Sequence, residues 1–307
     1  MERGVGAIAR YTEEAGIAVD EALDPNRTGL IGPESSPLFT TLGQLEAKRT
    51  TTNPDVAGLM VHLLRRAGVS AGDTIAVGGS ASFPALMIAT VAAAEAMGVH
   101  AVVMLSLGSS AYGATHPEFN LLDLYGRLRG EGVLSTDPAV ISLGGEDDVG
   151  ADFDPAFREG LIQQVRMSEV ALLLEPDLRE NVAHRMSIYR RAAAFVNIGG
   201  GDANIGTSPL VLNVEPGLNT ALALPPEVQR GVLFEMAARG VPVIHLLHIR
   251  GLALRYGLAW DPIPLPEPGT TRLHDEARAK GLRFWLITMV YLLGLGLIAF
   301  AGRGRQD

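Results

Sequence analysis

From about residue 55 onward, apolar residues alternate between helical and strand-like spacing, and this alternation dictates the expected fold. Asp55 to Ala67 carries helical periodicity and closes at Gly68, a residue suited to the left-handed turn that ends helices. Thr74 to Val77 is a short β-branched run. Pro84 to Met97 reads as an alanine-rich helix closed by Gly98, and Ala101 to Leu107 as an apolar strand without polar alternation. Strand, helix and strand in that order make a parallel unit covered on both faces, so neither face needs polar residues. Further strands are predicted at 139–143, 170–174, 195–198 and 241–249, with helices at 155–168, 177–194 and 226–239. The pattern predicts an α/β fold: a doubly wound, Rossmann-like, mostly parallel sheet.

The flanks divide the chain further. Residues 1–24 read as an amphipathic helix with Ile8, Tyr11, Ala15 and Ala18 near helical spacing, and residues 25–54 as a largely irregular segment packing on the core. The α/β domain is expected over 55–261. Residues 262–283 begin with PIPLPEPG, a semi-stiff proline spacer. Phe284 to Ala301 (FWLITMVYLLGLGLIAFA) then runs without a charge, between Arg283 and the pair Arg303 and Arg305. As a helix it would reach roughly 27 Å, enough to cross a bilayer with snorkelling flanks. The expectation is a single-pass membrane anchor at the carboxyl end, with Trp285 at the interface. Arg278, Lys280 and Arg283 on one side against Arg303 and Arg305 on the other favour a cytoplasmic domain by one charge.

Net charge narrows the partners. At −9 the chain is not expected to bind nucleic acid, and an anionic ligand must be met by local cations or backbone amides. The absence of cysteine removes disulfides, thiol catalysis and thiolate metal sites.

In sheets of this kind ligands gather beyond the carboxyl ends of the strands. Three such ends carry loops of small residues: one around Gly79, Ser80 and Ser82, one around Gly108, Ser109 and Ser110, and one around Gly200, Gly201, Asp202 and Asn204. Small side chains let amides approach a ligand, and the first loop opens a helix, where free N–H groups favour an anion. Neither a P-loop nor the dinucleotide glycine spacing occurs, and no cofactor is expected.

Gly78-Gly79-Ser80-Ala81-Ser82 sits between strand and helix like a nucleophile elbow, although Ser82 stands where the motif has glycine. Ser80 is thus a candidate nucleophile, with His245 or His248 as base and Asp202 as acid; the competing reading is that Ser80 and Ser82 cap the helix at Pro84. His245 and His248 lie three apart on an expected strand and would face opposite sides, so no metal site is expected. Lys48 and Arg49 precede Thr50, Thr51, Thr52 and Asn53 in the densest polar cluster of the chain. The cluster reads equally as an anion site and as a cap for the helix at Asp55.

Several stretches, DPNRTGLIG (24–32), TTLGQLEAKRTTTNPD (40–55), GSASFPAL (79–86) and FVNIGGGDANIG (195–206), resemble the membrane-associated poly-gamma-glutamate system protein family. SLGSSAYGATHPEFNLLD (106–123) is similar to a further block of that family, and the likeness covers most of residues 20–250. The resemblance implies a place beside the membrane machinery that makes and exports poly-γ-glutamate, without assigning a reaction. Members often carry an amino-terminal hydrophobic segment, which would put the domain outside the cell; MERGVGAIARYTEEAG is not one, so the side of the membrane stays open. Two functions follow as expectations. One is an accessory protein that binds glutamate, its polymer or a membrane subunit of the synthesis complex. The other is a hydrolase or transferase that cuts γ-glutamyl amides with Ser80 or Ser109.

Overall fold

The computed structural model describes residues 1–271 and 285–295. In chain order the elements are α1 (Glu2–Glu14), β1 (Phe39–Thr41), α2 (Leu45–Thr51), α3 (Asp55–Arg66), β2 (Thr74–Ser80), α4 (Pro84–Ala96), β3 (His100–Ser106), β4 (Ser109–Ser110) and α5 (Leu121–Gly130). There follow β5 (Pro138–Ser142), α6 (Pro155–Met167), β6 (Ala171–Leu173), α7 (Leu178–Ile188), β7 (Ala194–Ile198), α8 (Asp202–Ile205), β8 (Gly217–Asn219), α9 (Val232–Ala238), β9 (Val243–Leu246) and α10 (Ile249–Tyr256). The fold is mixed α/β around a mostly parallel sheet, with strand order β6-β5-β3-β2-β7-β9-β8 and only β8 antiparallel.

Helices cover both faces. Ile75, Val77, Val103, Leu105 and Ile141 point to one side, against α3, α4, α5 and α6. Ala76, Met104, Val140, Phe195 and Val243 point to the other, against α7 and α9. Strands sandwiched in this way bury most of their residues on both faces, which explains their largely apolar character. Helix α4 is buried on nearly all sides, and α1 lies over it with Gly4 so close to Ile88 that a Cβ would clash. Val5, Ala7, Ile8, Leu30 and Leu38 join the same core, so the first 54 residues pack onto the sheet domain.

From β2 the chain moves outward through β3 and β5 to β6, then returns to place β7 on the other side of β2. The two βα connections at this reversal leave in opposite directions, and a crevice opens between them.

Some elements depart from the pattern read along the chain. The helix expected to Ala194 ends at Ile188, because Tyr189 turns inward and donates its hydroxyl to the Val77 carbonyl. The helix expected from Pro226 begins at Val232 after a short turn, and the strand expected to Ile249 stops at Leu246, where the chain turns into α10. The segment 25–54, expected to be irregular, contains β1 and α2.

The membrane anchor is corrected. Among the described residues no helix is long and apolar enough to cross a membrane. Helical residues run from Trp285 to Leu295, about 16 Å at the helical rise, against the roughly 20 residues that a bilayer requires. Phe284, residues 296–301 and the flanking Arg278, Lys280, Arg283, Arg303 and Arg305 lie outside the described residues. Of the proline spacer, 262–271 is described and docks on the domain: the Gly269 and Thr271 amides donate to the Asp55 carboxylate.

Candidate functional site

Three serines end adjacent strands in one register. Ser80 of β2 pairs with Ser106 of β3, and Ser106 pairs with Ser142 of β5. Period-two geometry therefore sends all three side chains to the same face at the carboxyl edge of the sheet. Ser106 Oγ and Ser142 Oγ are 2.7 Å apart, and Ser142 donates to Asp148 Oδ1 at 2.8 Å. The third has no such arrangement: Ser80 Oγ is buried and has no hydrogen-bond partner among the described residues.

Above this row lies a cleft of about 720 Å³. One wall is α2 with the strand-end loops of β2 and β3, and the other is the loop after β5, the Gly200-Gly201-Asp202 turn and the start of α10. Helices α4 and α10 both begin here, with Phe83 and His248 at their N-cap positions. Neither helix has a side-chain cap or an acidic residue in its first turn. Pro84 opens α4 without an N–H and the Ile249 amide donates to the Leu247 carbonyl, while the remaining first-turn amides lie with the dipole's positive end at the cleft. Beside Ser80, Gly199 has a φ of +88°, and a Cβ there would collide with Ser80 Oγ.

Lys48 is the dominant charge. It is 2% exposed, donates to the Ser82 carbonyl and to Ser110 Oγ at 2.6 Å, and sits 3.9 Å above the Phe83 ring. No carboxylate pairs with it among the described residues, and burial lowers its pKa to about 7. Arg250 on α10 lines the rim, 5.9 Å from the Trp260 ring and also without an ion-pair partner among the described residues.

The opposite wall is acidic. Asp202 has a raised pKa, chiefly from desolvation and then from the Asp148 and Asp147 carboxylates. Asp148 is held from behind by Arg185, which is 1% exposed and donates also to Ser142, Asn181 and Asn204. Asp152 accepts from the Glu146 amide and braces the turn.

The structure brings Lys48, Ser80, Ser82, Gly108, Ser110, Gly200, Gly201 and Asp202 to this cleft, together with His248. Other expected site residues lie elsewhere. Arg49 follows Lys48 by about 100° of helical turn and instead makes a two-point ion pair with Asp261, at 2.6 Å for each bond. The Thr50, Thr51 and Thr52 hydroxyls donate to carbonyls three or four residues back, and Asn53 Oδ1 accepts from the Asp55 amide as in a helix cap. Gly79 leaves room for Met87, and Asn204 lies against Gly78.

Ser109 Oγ donates to the Ser110 carbonyl and is wholly buried. His245 is buried beside Asn197, whose Nδ2 donates to its Nδ1 at 3.1 Å and to the Gly199 carbonyl at 2.9 Å. Its burial lowers its pKa to about 4, and it neither lines the cleft nor meets Ser80 or Asp202. The Ser80–His245–Asp202 triad is therefore not assembled. The described residues hold no cluster suited to a metal ion.

Sequence reasoning missed the fourth strand-end loop, Gly144 to Gly150, and the buried Arg185. The loop had a readable signal: GGEDDVG directly after an apolar run repeats the small-residue character of the other three. Comparisons with protein-family models, with curated proteins and with solved structures find nothing that matches this chain.

Proposed function

We propose that this chain binds a carboxylate-bearing ligand, glutamate or a γ-linked glutamate chain, in the cleft at the strand-order reversal of a doubly wound, Rossmann-like sheet. In this reading it serves poly-γ-glutamate formation or export as an accessory protein. The observation that carries the proposal is Lys48: an ammonium almost wholly removed from water, with no carboxylate partner among the described residues, opening onto a cleft. Burying such a group is unfavourable unless something compensates it, and an anionic ligand supplies the missing charge. Arg250, the remaining first-turn amides of α4 and α10 and the Ser80 hydroxyl add donors around the same space. This concentration overcomes the repulsion expected between a polyanion and a chain of charge −9. The chemistry at Lys48 specifies only the ligand's charge; the γ-glutamyl identity rests on the resemblance over residues 20–250.

Asp202 and Glu146 across the cleft would receive an ammonium. Free glutamate carries one and interior polymer units do not, so the two ligands separate on these residues. Titration calorimetry with glutamate, γ-glutamate oligomers and poly-α-aspartate tests the reading. Saturable binding of the γ-linked ligands, weakened at least tenfold in Lys48→Met, is expected. Absence of binding at millimolar ligand, or equal affinity in the variant, overturns it.

A second reading, cleavage of γ-glutamyl amides, is favoured by the contact between Lys48 and Ser110.

A further inference from the structure

Ser110 presents a hydroxyl, at the wall of the cleft, to an amine that burial keeps partly uncharged near neutrality. Its position is rigidly set. The Ser110 amide donates to Ser82 Oγ at 3.0 Å, and β4 pairs with β1, Ser110 opposite Thr41. The amine is fixed as firmly: α2 carries it, the Ser82 carbonyl accepts one of its protons, and the Phe83 ring covers it. A nucleophile, an adjacent base and a third group orienting that base are the elements of an activated serine, and lysine fills the base role in one recurring variant.

We propose that Ser110 and Lys48 form a nucleophile–base pair that transfers an acyl group from an amide or ester bound in the cleft. The choice of a γ-glutamyl substrate rests on the ligand reading above, while the pair itself does not. Uncharged Lys48 Nζ takes the Ser110 Oγ proton as Oγ bonds to the substrate's carbonyl carbon. The tetrahedral adduct then collapses, the carbon–nitrogen bond breaks, and the Lys48 ammonium returns the proton to the departing amine. Water, deprotonated by the same Nζ, attacks the Ser110 ester; acid leaves and Ser110 is restored. The sum is one water added across one amide, with no oxidant or cofactor.

The pair replaces the candidates read from sequence. Ser80 has no base within hydrogen-bond reach among the described residues, and Ser109 is turned away toward a carbonyl. The titratable or charged groups that face Lys48 across the cleft are Glu146, Asp148, Asp152, Asp202, His248 and Arg250, with Glu46 on its own helix.

The full chain is to be incubated with p-nitrophenyl acetate and, separately, with γ-glutamyl p-nitroanilide, following nitrophenol or nitroaniline release and intact mass. Expected are an acyl adduct on Ser110, an acylation rate rising with pH through about 7, and at least a hundredfold loss in Ser110→Ala and in Lys48→Met but not in Arg49→Gln, whose side chain pairs with Asp261 away from the cleft. As a readout independent of turnover, Ser110→Cys introduces the only thiol of the chain. Its alkylation by iodoacetamide should persist below pH 7, and adding Lys48→Met should shift that profile upward by more than one pH unit. No adduct with either substrate, or an alkylation profile that Lys48→Met leaves unchanged, overturns the proposal. Acylation by the acetate alone upholds the pair and removes the γ-glutamyl reading. Calorimetric binding of γ-glutamate oligomers without acylation does the reverse.

Discussion

Arg185 Nη2 donates to Asp148 Oδ2 at 2.5 Å behind the cleft wall, where the guanidinium is 1% exposed and the carboxylate side chain 9%. The same guanidinium reaches Ser142, Asn181 and Asn204, so one buried cation ties β5, α7 and α8 together. Removing it leaves a carboxylate in a poorly hydrated place, and Arg185→Met should lower unfolding stability by about 3–5 kcal/mol. Arg185→Lys should recover only a minor part, since a single ammonium cannot satisfy four acceptors that a planar fork reaches. Urea denaturation of both variants provides the measurement; full stability in the lysine variant would contradict the assignment.

Ser80 gives the opposite expectation. Its hydroxyl is buried with no partner among the described residues, which is a cost to the fold in the absence of ligand. Ser80→Ala should therefore leave stability unchanged or raise it by up to about 1 kcal/mol while weakening ligand binding. Gly199→Ala should damage both, because the new Cβ meets Ser80 Oγ and φ is +88°. A loss of about 1–3 kcal/mol in thermal or chemical unfolding is expected.

The parallel strands and their intervening helices were legible because buried strands and Gly-terminated helices leave local signals. Their ends were less so: Tyr189 stops α7 early through a bond to Val77, a residue 112 positions away. At the site, the glycine and serine loops could be read from their composition. The separation of Lys48 from Arg49 could not, since it depends on Asp261, which reaches α2 only after the chain has circled the sheet. Ser110 and Lys48 are 62 positions apart, and no local pattern joins them. Arg185 could not be read either, because nothing in the local sequence of α7 marks it as a buried residue of that helix.

Arg49 offers a control for the site. Its ion pair with Asp261 is two-pointed and only 12% and 19% exposed, so Arg49→Gln should cost about 1–3 kcal/mol in stability. Ligand affinity should change less than twofold, because the side chain does not line the cleft. A tenfold loss of affinity in a folded Arg49→Gln protein would return Arg49 to the binding set.

Lys48 and His245 should imprint separate pH windows on stability. Burial takes His245 from an ordinary value of 6.5 to about 4, so the folded protein binds fewer protons there than the unfolded chain. Stability is then fully present above pH 6.5 and falls as pH drops toward 4. Lys48 goes from 10.5 to about 7, again by burial. Its charging penalty is absent above 10.5, grows as pH falls to 7, and is complete below. Unfolding free energy should therefore rise with pH in two steps, 4 to 6.5 and 7 upward. The second is best read below pH 10, because Tyr125 and Tyr189 have raised pKa values through burial and destabilise the fold beyond that point. Lys48→Met should flatten the upper step alone, stabilising the protein at pH 6 by up to about 5 kcal/mol. His245→Gln should flatten the lower step alone. Urea midpoints from pH 4 to 9.5 for the three proteins decide the matter. A wild-type curve level between pH 7 and 9.5 would mean that Lys48 keeps its charge through a partner, and the cleft would lose the group on which its proposed chemistry depends.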